Sequence, residues 1–252
     1  MSEYYQEKLF SISRSLASTS RDNGPNLNYF GNNININHNN SDSDFSNKCI
    51  TIYYNQPPAV LYREELKNPN SLLTSTGSIS VLSGAKTGRS PRDKRIVKDK
   101  NTKDIWWGSV NKPIDDILFY YYYIQAHDYF NKDKDVYIVD SYAGWDKNNQ
   151  ISVRTICTDP YHALFIRNML IPADTPHKGK ADLEILNCSD LNLKYFDNDL
   201  KNFKIDKGDL DENLIGMDLS KGKVLIYGTK YAGEMKKAVL TYMMYKMPLK
   251  DN

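Results

Sequence analysis

The chain has 252 residues, enough for one large domain or two small ones with a substantial core. Hydrophobic residues make up 40% and charged residues 25%, and the formal net charge of +2 gives no bulk attraction toward nucleic acid or membrane. No apolar run approaches the roughly 20 residues that cross a bilayer, and Leu9, Phe10, Ile12 and Leu16 are too interrupted by Ser and Arg for a secretory core. Glu3 and Glu7 count against a transit peptide, so the expected location is cytoplasmic, with neither membrane nor nucleic acid as partner. Three scattered cysteines, Cys49, Cys157 and Cys188, read as reduced, buried thiols, and the four histidines show no metal-ligand spacing.

Residues 1–48 are rich in Ser and Asn, with too few apolar residues at any period to offset the entropy of ordering. That segment is expected to be disordered, with His38 solvated, and the folded part is expected over residues 49–252. From Cys49 the pattern changes: CITIYY to Tyr54 is a β-branched and aromatic run that stops at Asn55 and Pro57, as a strand does. Pro58 to Asn68 reads as a short helix with Pro near its start and Pro69 beyond its end. Ser78 to Gly84 alternates like a half-buried strand, and Asp93 to Asp99 suits another short one.

Asp115 to Phe130 is helical by length, and its Tyr120–Tyr123 run fits either a base-stacking platform or, the better reading, core packing. Asp135 to Gly144 and Gln150 to Thr158 read as paired strands across a turn at Asp146 to Asn149. Asp159 to Ile171 reads as a helix capped by Asp159 with Pro160 at its first position. Asp182 to Asn187 and Lys223 to Gly228 are further strands. A last helix is expected from Gly233 to Met247, ended by Pro248, with Met243, Met244 and Met247 facing the core. Interleaved helices and strands with some hairpins predict an α/β fold of α+β character, a mixed sheet with flanking helices.

Two segments carry chemistry. SGAKTGRSPRDK, Ser83 to Lys94, follows a strand and packs Gly84, Gly88, Pro91 and four basic residues together, with the planar fork of Arg89 suited to carboxylate or phosphate. It is not a Walker A loop, because Ala85 rather than Gly precedes Lys86, and no such loop occurs elsewhere. An anion-binding loop and a solvated basic turn are both compatible with this spacing, and a nucleic-acid patch is a weaker third reading. The second segment, Tyr227 to Lys250, passes from strand through Tyr231 and Gly233 into a helix whose free amides and dipole favour an anion. The dipole also works against a protonated lysine, which suits Lys236 and Lys237 to act as a neutral donor, base or metal ligand.

TGRSPRDKRIV (from Thr87), WWGSVNKPI (from Trp106), VYIVDSYAG (from Val136), YHALFIRNMLI (from Tyr161) and GTKYAGEMKKAV (from Gly228) occur in an order that resembles ATP-dependent phosphoenolpyruvate carboxykinase. The resemblance runs from about Asn55 to Lys250 and implies the amino-terminal, substrate-binding domain of that fold. The family converts oxaloacetate and ATP to phosphoenolpyruvate, ADP and carbon dioxide, in gluconeogenesis or anaplerosis, using Mn²⁺ and Mg²⁺. By resemblance, Arg89 holds a substrate carboxylate, Tyr231 contacts oxaloacetate or carbon dioxide, and Lys237 meets the substrate and ligates Mn²⁺ as a neutral amine. Lys236 is implied as an electrostatic helper in catalysis.

The family's P-loop, its remaining metal ligands and a further catalytic Arg belong to a carboxyl-terminal domain expected to be missing here. The Arg expected after NMLI is replaced in IPAD, Ile171 to Asp174. The expectation is therefore part of a carboxykinase whose isolated chain is inactive and binds no cofactor stably. The alternative is a truncated, non-catalytic carboxylate-binding pseudoenzyme.

Overall fold

The computed structural model describes residues 34–36, 50–130 and 134–250. Cys49, His38 and most of the segment expected to be disordered lie outside those residues, but Ile34–Ile36 form a strand, β1, beside β2 (Ile50–Tyr54). Next come helix α1 (Pro58–Glu65), the hairpin β3 (Ser71–Leu73) and β4 (Ile79–Val81), β5 (Lys94–Val97), β6 (Lys112–Ile114) and helix α2 (Asp116–Phe130). The chain continues through β7 (Val136–Ala143), β8 (Ile151–Cys157), helix α3 (Pro160–Met169), β9 (Ile171–Pro172) and β10 (Leu183–Cys188). A short helix α4 (Asp197–Asn202), β11 (Leu214–Asp218), β12 (Lys223–Tyr227) and helix α5 (Gly233–Lys250) complete it.

All strands but β3 and β4 join one sheet in the order β1-β2-β7-β8-β10-β12-β11-β5-β6, with β9 paired to β7. It is mixed: β7 runs antiparallel to β8 and β11 antiparallel to β12, while β8, β10 and β12 are mutually parallel. Period-2 alternation feeds two cores. Along β7, Val136 and Ile138 enter one and Tyr137 and Val139 the other; Leu225 and Tyr227 of β12 separate from Val224 and Ile226 in the same way. Helix α2 covers the first face with Phe119, Tyr122, Tyr123 and Phe130, so the tyrosine run is core packing. Leu61 of α1, Ala163 and Ile166 of α3 and Met235, Ala238 and Val239 of α5 cover the second. No helix among the described residues is long and apolar enough to cross a membrane.

Local signals explain most boundaries. Asp159 accepts the Tyr161 amide at 2.9 Å and Pro160 opens α3, where a missing N–H costs nothing. Helix α5 departs from expectation: it continues through Pro248 to Lys250, so the lost hydrogen bond and ring crowding that a proline brings fall on its last turn. Met243 and Met247 pack against the core, whereas Met244 is 70% exposed, on the solvent side of the same helix. Cys157 and Cys188 are buried and free.

Buried charges are matched. Asp140 of β7 is fully buried and accepts Arg154 Nε at 2.8 Å, Arg154 Nη2 at 2.7 Å, the His177 amide at 2.8 Å and the Tyr54 hydroxyl. Burial alone would raise its carboxyl, but Arg154 with the other donors holds it below the ordinary range. Across the sheet, Lys223 Nζ donates to Tyr123 Oη at 2.6 Å and Glu184 Oε1 at 3.1 Å, and Tyr123 donates to the same Glu184 oxygen at 2.8 Å. Removing one partner leaves a buried charge uncompensated, so Asp140→Ala should cost about 3–5 kcal/mol in urea unfolding, and an unchanged midpoint contradicts the hub.

His162 is buried under the Lys230 carbonyl, 2.9 Å from its Nε2, and burial lowers its pKa to about 4, an effect that hydrogen bond does not offset. The unfolded imidazole takes a proton near pH 6.5 and the folded one only near 4, so its contribution is complete above 6.5 and is lost as pH falls toward 4. Denaturation at pH 7 and pH 5 should show a smaller acid-induced loss in His162→Gln than in the unsubstituted chain; equal losses count against this.

Candidate anion-binding site

The loop before β5 is shaped by its own side chains. Lys86 Nζ donates to Asp93 Oδ2 at 2.7 Å, and residues Pro91–Asp93 form a single 3₁₀ turn closed by the Asp93 amide on Ser90 O at 3.0 Å. Asn213, at the entry to β11, bridges this loop to the second segment: its amide oxygen accepts Lys86 Nζ at 2.8 Å and its nitrogen donates to Gly228 O at 2.5 Å. Gly228 has φ +72°, and a Cβ there would lie 2.6 Å from Glu212 O, so the turn out of β12 requires glycine.

Helix α5 begins immediately after this turn. Its positions 234, 237, 238 and 241 recur at the spacing of one helical face, and Glu234, Lys237, Ala238 and Thr241 all line one cleft. The opposite wall comes from the loop, with Arg89, Ser90, Arg92 and Lys94, and the floor from Ile215 and Met217 of β11. The cleft holds about 280 Å³. Glu234 ties the walls together, its Oε1 accepting the Ser90 amide at 2.5 Å across 144 residues of sequence. Burial raises the Glu234 carboxyl above its usual range, and the Ser90 amide and Arg89 only partly offset that.

The neighbouring cations Lys86, Arg95 and Lys112 are each matched by an aspartate. Arg89, Arg92, Lys94 and Lys237 make no ion pair among the described residues, and Lys94 Nζ meets only the neutral Asn111 Oδ1, at 3.0 Å. Burial lowers the Lys94 amine below its ordinary value. Four cations thus face a cleft with one buried carboxylate, an arrangement that attracts a small anion.

Of the residues singled out from sequence, Arg89 and Lys237 are brought into one cleft. Tyr231 does not line it; its ring lies over Gly233, where an added Cβ would come within 2.5 Å of Cε1. Lys236 is exposed on another face of α5. The expected free amides at the helix start are partly used: Glu234 N–H donates to Tyr231 O and Met235 N–H to Ala232 O, each at 3.2 Å. The positive character therefore comes chiefly from side chains. Sequence reasoning passed over Arg92, Lys94 and Glu234, although all three stand inside the two motif segments, because a carboxylate in a basic site reads as a surface charge until its burial is known.

Known proteins resemble this chain over most of its length. The family model for phosphoenolpyruvate carboxykinase matches residues 50–252. The phosphoenolpyruvate carboxykinase (ATP) of Dictyostelium discoideum is 43% identical over 213 residues, which is 82% of this chain and 36% of the relative. That of Saccharomyces cerevisiae is 40% identical over 211 residues, 82% of this chain and 37% of the relative. Phosphoenolpyruvate carboxykinase (ATP) 2 of Salinibacter ruber is 39% identical over 219 residues, 84% and 40% respectively. The chain spans well under half the length of these relatives. With a family match over most of its residues, the chain belongs to the phosphoenolpyruvate carboxykinase family.

Proposed function

We propose that this chain forms the oxaloacetate-binding part of an ATP-dependent phosphoenolpyruvate carboxykinase. The observation that carries the reading is the convergence of Arg89, Arg92, Lys94 and Lys237, none ion-paired among the described residues, on one cleft. Arg89 grips a carboxylate of the substrate through its planar fork. Lys237, across the cleft on α5, neutralises the charge that appears at the enolate oxygen once carbon dioxide leaves. Tyr231 does not line the cleft, so its contact with oxaloacetate or carbon dioxide is proposed at the helix-entry turn beside it, and Lys236 adds a weaker field from outside the cleft.

Mn²⁺ would add Lewis-acid stabilisation of the same enolate. Among the described residues no three His, Cys, Asp or Glu side chains gather to hold a metal ion. Lys237 offers one amine, a ligand only when unprotonated and so not while it serves as a cation, and Glu234 is already engaged by Ser90. These residues fit one corner of a Mn²⁺ or Mg²⁺ site and not a complete one, so no step here passes through a metal. The sequence holds no Walker A loop for ATP, and the chain alone is proposed to bind the dicarboxylate without turning it over.

Calorimetric titration with oxalate, a stable dicarboxylate probe, tests this. Arg89→Ala and Lys237→Ala should each weaken binding about tenfold or more, equivalent to about 1.4 kcal/mol, whereas Lys236→Ala should change it about twofold or less. Absence of oxalate binding by the unsubstituted chain, or indifference to Arg89→Ala, overturns the reading.

A further inference from the structure

Strand alternation places Lys94 and Arg95 on opposite faces of the sheet. Lys94 faces the anion cleft with Met217, while Arg95 lies on the α2 side, beside Ile114 and Leu118. From there its guanidinium reaches back under the strand: Nη1 donates to Arg92 O at 2.6 Å and to Lys94 O at 3.0 Å. Both carbonyls belong to residues that line the cleft. The remaining fork position, Nη2, meets Asp209 Oδ1 at 2.6 Å, and the other Asp209 oxygen accepts Lys112 Nζ at 2.8 Å.

The pair is lopsided. The Arg95 side chain is 4% exposed and the Asp209 side chain 65%. Asp209 sits on the loop after α4 beside an open cavity of about 480 Å³, so packing does not hold it in place. What holds it is charge and hydrogen bonding: the Lys112 and Arg95 donors depress its carboxyl to about 2. Of the three groups that orient the Arg95 fork, two are the loop's own carbonyls. Of those three partners, Asp209 is the one that lies outside the loop.

We propose that Arg95 and Asp209 are positioning residues that set the Arg89–Lys94 loop from the far face of the sheet and thereby tune the affinity of the anion cleft. The affinity part rests on the function proposed above, while the loop part does not. Neither residue touches the bound anion. Neutralising Asp209 frees the Arg95 fork, loosens the 3₁₀ turn at Pro91–Asp93 and moves Arg89, Arg92 and Lys94 out of common register with Lys237.

Two measurements on the whole chain test this. Backbone amide exchange reads the loop directly through the Asp93 and Lys94 amides, which donate to Ser90 O and Pro91 O. In Asp209→Asn these two amides should exchange about tenfold faster, with β11 and β12 amides unchanged. Oxalate binding should weaken about threefold to tenfold, and Asp209→Glu should recover both. Asp211→Asn, which removes a charge paired 3.5 Å from Lys194 on the same loop, should do neither. Unchanged exchange in Asp209→Asn overturns the proposal whether or not oxalate binds. Faster exchange with unchanged oxalate affinity overturns the positioning role and leaves only a structural one. If the unsubstituted chain binds no oxalate, the function reading and the affinity part fail together, while the exchange result still decides the loop part.

Discussion

Glu234 is a carboxylate at the first turn of a helix, and helix physics alone would leave it at the surface beside the positive end of the dipole. Here it is buried, and burial obliges it to find a donor. The donor is the backbone amide of Ser90, which belongs to a loop far away in sequence. That bond closes the cleft, because it ties the wall carrying Arg89, Arg92 and Lys94 to the wall carrying Lys237. Lys86 through Asn213 to Gly228 is a second tie between the same two segments.

The mixed sheet makes such ties possible. The segments meet because β5 pairs with β11 and β11 with β12, so the loop entering β5 and the helix leaving β12 stand two strands apart. Strand alternation then divides the labour at β5, with Lys94 toward the cleft and Arg95 toward the support. Buried pairs elsewhere, Asp140 with Arg154 and Glu184 with Lys223, fasten neighbouring strands, and in each a charge withdrawn from water is matched by several donors.

Charge is distributed with a purpose that net charge conceals. The chain as a whole is nearly neutral, at +2. Around the cleft, aspartates match Lys86, Arg95 and Lys112 and leave four cations with no ion pair among the described residues. A neutral surround and a positive pocket favour one small anion over a polyanion, which needs positive charge along an extended face.

The elements were largely legible from local rules. CITIYY, the Asp159–Pro160 start of α3 and the hairpin turn at Asp146 to Asn149 announce themselves because β-branched runs, caps and turn residues act over a few positions. The mixed sheet and flanking helices follow from their interleaving, and the motifs around Arg89 and Lys237 pointed to the family and to an anion. Strand β11 was not legible: LIGMD is a short apolar run broken by Gly216, and its role comes from burial on both faces between β12 and β5. Nor could sequence exclude Tyr231 and Lys236 from the cleft lining, since residues a few positions apart at a helix start point in directions set by how the helix docks. What the sequence by itself determined is which segments are helix or strand and which carry chemistry, for those depend on neighbours along the chain. Only the tertiary structure decided which cations stay unpaired, which carboxylate is buried and what stands behind Arg89, because pairing and burial depend on contacts between segments more than a hundred residues apart.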